Sequence, residues 1–276
     1  MKKSFKGKTL TTFGIIILSI VIFFPFYWLL ISSFKTPREL LSAEPTFIPF
    51  TFTFNHYYRI LFETDYPRYM LNSLFLATIT TIIIMILSVL SAFSLSNFYY
   101  PLKKQISLLI LFTRMFPGVL LMIPIYVLMA NLGLLNSLWS LIIVYVTMYS
   151  PVAIFLLKSF LDELPKEFLE ASYIDGASKM TALHRIILPL ATPGLVTVAA
   201  WSFILSWSEY LFGMLLINDI SKQTVVVGLA AWMGEYYIDW GAINAGAILI
   251  TLPVVILFAF LGKGFIKGLT IGGIKG

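Results

Sequence analysis

The sequence predicts an all-α membrane protein with six spanning helices and both termini in the cytoplasm. Three observations carry this. Of 276 residues, 59% are hydrophobic and only 12% are charged, where a soluble domain carries about 25% charged residues. Six apolar segments are each long enough to cross about 30 Å of hydrocarbon as a helix. The lysines and arginines divide unevenly between the connecting loops, as the positive-inside rule requires. The mean hydropathy of +0.92 leaves no room for a disordered chain, a nucleic-acid reader or a small secreted scaffold, none of which tolerates so much apolar surface in water. With no cysteine, disulfides, thiolate nucleophiles and thiolate metal sites are excluded.

The predicted spans run from Leu10 to Phe34, Tyr69 to Ser96, Ile106 to Ala130, Leu138 to Leu157, Leu190 to Ile217 and Ala242 to Leu261. Backbone groups in lipid must be satisfied within their own segment, and the period-2 alternation of a membrane barrel is absent, so helices are the expected form. The first span follows Lys2, Lys3, Lys6 and Lys8. Its apolar run is too long for a signal peptide and lacks a small-residue cleavage site, which predicts an uncleaved anchor with its N-terminus inside. On that topology the inner face carries 13 lysines and arginines against 5 acids, and the outer face 5 against 7. Only Arg114 and Glu209 fall within spans. The net charge of +6 is therefore a topology signal.

Between the first two spans, residues 35–68 form an outer loop with Pro37, Pro45, Pro49 and Pro67 and six aromatics from Phe47 to Tyr58. Prolines break helices and aromatic rings favour the membrane interface, so a segment packed along the outer surface is expected; a docking surface for an extracytoplasmic partner is compatible with it. The second outer loop, about Asn218 to Gly241, places Trp232, Tyr236, Tyr237 and Trp240 beside Asp219, Glu235 and Asp239. Aromatic rings with nearby carboxylates suit a sugar, and they equally suit interfacial anchoring.

The inner loop, residues 158–189, predicts two short helices and a tight turn. Pro165 suits a helix start, Glu167 favours the positive end of its dipole, and the helix continues to Asp175. Gly176 can adopt the left-handed conformation that ends it. Ser178 can cap a second helix reaching about Leu188. Phe168, Leu169 and Tyr173, with Met180, Leu183 and Ile187, are too many apolar groups for an idle loop in water, so a partner groove is expected.

The run Glu170-Ala171-Ser172-Tyr173-Ile174-Asp175-Gly176-Ala177, followed by Ile186-Ile187-Leu188-Pro189, resembles the cytoplasmic "EAA" loop of bacterial ABC importer permeases. Pro25-Phe26-Tyr27-Trp28, Ser33-Phe34-Lys35, Asn72-Ser73-Leu74, Arg114-Met115-Phe116-Pro117 and the tail Gly268-Leu269-Thr270-Ile271-Gly272-Gly273-Ile274-Lys275-Gly276 are similar to carbohydrate-uptake permeases of the maltose-transporter type, most of all the smaller permease subunit. Ser172 departs from the second Ala of the pattern, Leu183 from a usual Phe, Gly262-Lys263 from a frequent Gln-Arg and Gly273 from a common Ala. The resemblance implies a single integral membrane domain with a permease core over residues 69–262 and a cytoplasmic tail over 263–276 that reaches between ATPase subunits. It implies a bacterial cytoplasmic-membrane subunit of a binding-protein-dependent sugar importer. Its partners would be a second, non-identical permease subunit, an ATPase dimer carrying the ATP and Mg, and an extracytoplasmic sugar-binding protein, with the chain itself in the lipid bilayer. It makes Phe168, Leu169, Glu170, Ala171, Ser172, Asp175, Gly176, Ala177 and Met180 the ATPase-coupling residues, and Trp232, Tyr236 and Tyr237 binding-protein-docking candidates.

Charges within spans are costly and belong against protein or water. Glu209, with Ser206, Trp207, Ser208 and Tyr210 beside it, is a candidate for the polar path, as is Arg114, which can also snorkel as an anchor. Pro117 and Pro124 are candidate kinks in the third span. His56 and His184 lie too far apart in topology for a metal pair or a triad, and the chain has neither a phosphate-binding Gly-rich loop with Lys nor a His-Glu-x-x-His motif. No cofactor or metal is expected on this chain, and no nucleic acid; the energy source lies on another chain. Six spans and a buried acid would also serve an autonomous transporter or channel. The inner loop discriminates, because a self-sufficient carrier has no need of it.

Overall fold

A computed structural model describes residues 5–234 and 238–271, all helical but for turns and one isolated bridge between Met233 and Ile238. Along the chain run α1 (Phe5–Ser32), α2 (Pro37–Leu40), α3 (Asn55–Phe62), α4 (Tyr66–Asn97), α5 (Lys103–Phe112), α6 (Met122–Asn131) and α7 (Leu138–Asp162). The second half holds α8 (Glu167–Ile174), α9 (Lys179–Ala182), α10 (Leu188–Leu190), α11 (Thr192–Trp207), α12 (Leu211–Leu216), α13 (Val225–Ala230) and α14 (Trp240–Ile271).

Four helices are long and apolar enough to cross a membrane unbroken: Thr11–Ser32, Tyr66–Asn97, Leu138–Asp162 and Trp240–Leu261. The third and fifth predicted spans are not continuous helices. The third bends by 88° between Lys103–Met115 and Gly118–Asn131. Phe116 is extended at φ −81° and ψ 118°, as the residue before a proline prefers, and Pro117 has no N–H to carry the helix across. Pro124 makes no break, because it falls in the first turn of α6, where N–H groups have no intrahelical partner. The fifth predicted span, Leu190 to Ile217, is α11 followed by a non-helical step at Ser208–Tyr210 and then α12. The Lys179–Leu190 stretch meets α11 at 81° across Ala191.

The chain divides into two compact units, residues 1–67 with 228–252, and residues 68–227 with 253–276. In the first, the Thr11–Ser32 stretch buries none of its apolar window against the chain. Its C-terminal end is tied down: the Tyr27 hydroxyl donates to Phe47 O at 2.6 Å, and Trp28 meets the Phe47 ring edge-on. Buried Lys35 donates to Thr46 O and lies 4.3 Å from the Trp28 ring. The Glu39 carboxylate accepts from the Thr46 hydroxyl and Phe50 N. The proline-rich outer loop is thus a folded layer. Buried His56 contacts Lys35 O through Nε2 at 2.9 Å, and its ring stands so close to Gly241 that there is no space for a Cβ there. Asp239 pairs with Arg59 and also accepts from Ala242 N at 3.0 Å, capping α14.

The second unit has two apolar cores, and α7 runs through both. One joins Ile84, Ala92 and Phe93 of α4, Leu157 and Leu161 of α7, and Val198 of α11. The other joins Leu76, Met129, Leu141, Tyr145, Phe212 and Leu216. A Cβ on Gly194 would stand 2.6 Å from the Phe160 ring, so glycine lets α11 approach α7 closely. Within the second core's neighbourhood, Asn136 adopts φ +57° and gathers the segment after α12. Its Oδ1 accepts from Asn218 N at 2.6 Å and Asp219 N at 2.9 Å, its N–H donates to Leu216 O, and its carbonyl accepts from Lys222 Nζ. Asn72 Nδ2 donates to Ser221 O and Gln223 O, and Ser73 Oγ accepts from Val225 N. The Asp219 carboxyl is held below its usual range by the Ser221 hydroxyl and backbone N–H.

Candidate functional site

The inner loop has the form its residues predict. α8 ends at Asp175, and Gly176 turns the chain at φ +80° with its N–H on Tyr173 O. Ala177 N closes on Ser172 O at 2.9 Å, the pattern of hydrogen bonds that ends a helix through a left-handed residue. Ser178 Oγ accepts from Thr181 N, capping α9. From Leu183 to Ile187 the helix widens to π spacing, and Leu188 N reaches back to Leu183 O. Pro189 explains why the helix is irregular there: it lacks an N–H, and its ring crowds the carbonyl one turn earlier.

Sidedness separates the predicted coupling residues into two groups. Leu169 and Ser172 point inward, as do Leu183 and Ile187. Leu169, Leu183 and Ile187 join Ala182 in the core with α4, α7 and α11, and the Ser172 hydroxyl donates to Leu169 O. Of the six apolar residues expected in a partner groove, Leu169, Leu183 and Ile187 are therefore not available to one. Facing out are Phe168, Glu170, Ala171, Tyr173, Asp175, Gly176 and Met180, with Ala177 half-buried. The most exposed apolar side chain of the loop is Ile174, at 87%, which the sequence reading had not singled out. Partial burial of the Tyr173 hydroxyl raises its pKa. The inner side of the loop is further tied by Lys179, whose Nζ lies 4.5 Å from the Phe98 ring.

The charges within the spans do not pair with each other. Glu209 sits at the non-helical step after α11 and accepts from the Tyr145 hydroxyl at 2.5 Å, Phe212 N at 3.0 Å and Gly213 N at 3.1 Å. Its carboxylate thus satisfies the first free N–H groups of α12. Ser206 and Trp207, at 2% exposure each, are packed inside the chain, and Trp207 stacks on Phe203; neither lines an open surface of this chain. Arg114 is exposed and donates from Nη1 to Met148 O at 2.6 Å. It stands in a groove of about 320 Å³ between the bent third segment and α7.

Among the docking candidates, Trp232 is half-buried and packs on Tyr66 with ring centroids 5.1 Å apart. Tyr236 and Tyr237 lie outside the described residues, as do residues 272–276 of the tail.

A family model described as the inner membrane component of binding-protein-dependent transport systems matches residues 84–270, a stretch that contains the inner loop, Arg114 and Glu209. The chain is a permease of this family. An inner membrane ABC transporter permease protein of Escherichia coli, YcjP, is 35% identical over 266 residues, covering 95% of each chain. The trehalose/maltose transport system permease protein MalG of Thermococcus litoralis is 31% identical over 279 residues, with full coverage of both. The sulfoquinovosyl glycerol transport system permease protein SmoH of Agrobacterium fabrum is 31% identical over 272 residues, covering 99% of this permease and 95% of SmoH. In three dimensions the permease matches a chain of a bacterial ABC transporter that imports the acidic polysaccharide alginate, with a TM-score of 0.79 at 21% identity over 96% of this chain and 99% of the other. The fold is that of ABC importer permeases, and the permease is a multi-pass inner-membrane protein of a binding-protein-dependent ABC importer.

Proposed function

We propose that this permease imports a sugar and takes its driving motion from a separate ATPase dimer through the loop at residues 158–189. The observation that carries the coupling reading is the sidedness of that loop. One face is locked into the chain's own core by Leu169, Ala182, Leu183 and Ile187. The opposite face offers Phe168, Tyr173, Ile174 and Met180 with the acids Glu170 and Asp175. A short rigid unit with apolar knobs transmits a rigid-body displacement, as a floppy loop cannot. The sugar reading is supported by full-length relatives whose names specify trehalose/maltose and sulfoquinovosyl glycerol.

In this reading a second, non-identical permease subunit completes the path, and an extracytoplasmic binding protein delivers the sugar to the outer segments. ATP and Mg belong to the ATPase. Residues 69–262 form the permease core, and the tail from 263 extends toward the ATPase. Glu209 acts in the path indirectly, by fixing the step between α11 and α12.

The test is reconstitution with the ATPase, the partner permease and the binding protein in proteoliposomes. Asp175→Arg and Ile174→Asp are expected to lower both sugar uptake and sugar-stimulated ATP hydrolysis at least about tenfold while the subunit still inserts in the membrane, because each places charge at the docking knob. Normal uptake and stimulation in both variants would contradict the coupling reading, and failure to take up any sugar would contradict the substrate reading.

A further inference from the structure

The segment that follows α1 folds back along the end of the first span. The Thr11–Ser32 stretch of α1 has 22 residues, a rise of about 33 Å against a hydrocarbon thickness of about 30 Å, so Ser32 stands near the edge of the hydrocarbon. Tyr27 and Trp28 then lie about 6–8 Å inside that edge. Helix side chains tilt toward the helix N-terminus, which for these two is toward the membrane centre. Phe47 is held to both of them. Its carbonyl accepts from the Tyr27 hydroxyl at 2.6 Å, and its ring meets Trp28 edge-on with centroids 5.9 Å apart. The chain around Phe47 is thus at membrane depth, below the level at which α1 ends.

What this segment shows outward is apolar and uncharged. Between Glu44 and Arg59 the chain has no lysine, arginine or acid, and Phe47, Ile48, Phe50, Phe52 and Phe54 are all exposed, Phe50 at 85%. α3 continues the pattern. It buries His56 and Ile60, while Phe54 just before it, Tyr58 and Phe62 recur every four residues as an exposed stripe, the last two rings 5.2 Å apart. Arg59 is paired with Asp239 and adds no free charge. Phenylalanine has no polar handle, so these rings suit acyl chains better than the wet rim of a protein interface. The irregular backbone is matched to the same surroundings. Buried Lys35 donates to Thr46 O, Tyr27 takes Phe47 O, Phe50 N donates to the Glu39 carboxylate, and Thr53 N donates to Phe34 O at 2.9 Å. Lipid demands that backbone groups be answered from within, whereas a protein partner supplies donors and acceptors of its own.

We propose that residues 46–54 and the aromatic stripe of α3 form a lipid anchor, whose rings enter the outer leaflet where headgroups meet acyl chains. Amphipathic helices at that boundary bury their apolar face about 5–10 Å deep, and the depth set by Tyr27 and Trp28 falls in that range. The occupant is phospholipid; neither the second permease subunit nor the binding protein covers these rings. The anchor goes beyond the import reading and does not depend on it.

The experiment uses the complete transporter, binding protein included, in vesicles of phosphatidylethanolamine and phosphatidylglycerol. A benzophenone amino acid replaces Phe50 in one variant, Phe62 in a second and, as a control, exposed Ile220 between Asp219 and Lys222 in a third. After irradiation the adducts on this chain are identified by mass. Phospholipid adducts are expected at positions 50 and 62, at least about tenfold above position 220, the preference supplied by moving one phenylalanine ring out of water. Elution of each variant with the rest of the complex shows that it has assembled. A crosslink to the second permease subunit or to the binding protein as the main product would assign the patch to that partner and overturn the proposal. Lipid adducts no more abundant than at position 220 would overturn it as well. Either result leaves the import reading standing.

Discussion

Two loops of the same unit are held in opposite ways. The segment at residues 217–224 is fixed through its backbone by polar side chains, Asn136 on one side and Asn72 with Ser73 on the other. The inner loop at residues 158–189 is fixed by apolar side chains sunk in the core, and apart from its caps it spends few polar contacts on anything else. Hydrogen-bond clamps are directional and hold a segment in one geometry. Apolar anchors are non-directional and move with the body they are packed into. The proposed coupling role suits the second kind of anchor, since a loop that carries the motion of its core to a partner must move with that core, while the first kind suits a loop that keeps one shape.

Leu183→Ala is the strongest way to break this contrast. Leu183 is 0% exposed, and its truncation is expected to cost about 2–5 kcal/mol and to loosen the coupling loop from α7 and α11. Hydrogen exchange would rise across residues 167–190 and stay unchanged at 217–224. Gly176→Pro comes next, at about 3 kcal/mol or more. It forbids φ +80° and deletes the N–H bonded to Tyr173 O, so association of the permease with the ATPase, measured by co-purification, should be lost while the spans still insert. Asn136→Ala is the counterpart in the other loop and costs about 0.5–1.5 kcal/mol for each lost bond, since Asn218 N and Asp219 N exchange their acceptor for water. Exchange at 217–224 should rise and coupling should persist. Asn136→Gly keeps the left-handed backbone and removes the acceptor, so equal effects of the two variants would assign the clamp to the side chain and not to φ.

Much of the inner loop was legible in the sequence because its signals are local. A glycine after a helix, a serine three residues before Thr181 and a proline before an acid-rich turn act within one or two turns of the chain. The direction of each side chain was not legible, because Leu169 and Phe168 are equally apolar and only the position of α4, α7 and α11 tells which one is buried. Helical spacing carried a partial signal: Leu169 and Ser172 share one stripe, while Phe168, Ala171 and Asp175 share the other. The span breaks were hidden for a different reason. A hydropathy window reads Met115-Phe116-Pro117 and Ser206-Trp207-Ser208 as membrane sequence whether or not the helix continues, and a proline can bend a helix, end it or, like Pro124, do neither. Glu209 read as a path acid because its cost in lipid was visible and its acceptors' partners, Tyr145 and the first N–H groups of α12, were not. The clamp by Asn136 spans more than eighty positions of sequence, and no local pattern announces it.

The proposed role places the outward knob of the inner loop, with Ile174 at its tip, under the ATPase. Since the chain has no cysteine, Ile174→Cys introduces a thiol unique to this chain, and its modification by a maleimide, followed as a mass shift of this chain alone, can be measured in the permease pair with and without the ATPase dimer. Burial in the ATPase cleft predicts that the rate falls at least about tenfold on assembly, while a thiol introduced by Ile220→Cys, in the clamped loop, keeps its rate. Equal modification of the Ile174→Cys thiol in the presence and absence of the ATPase would show that the knob stays outside the ATPase cleft and would overturn the coupling role.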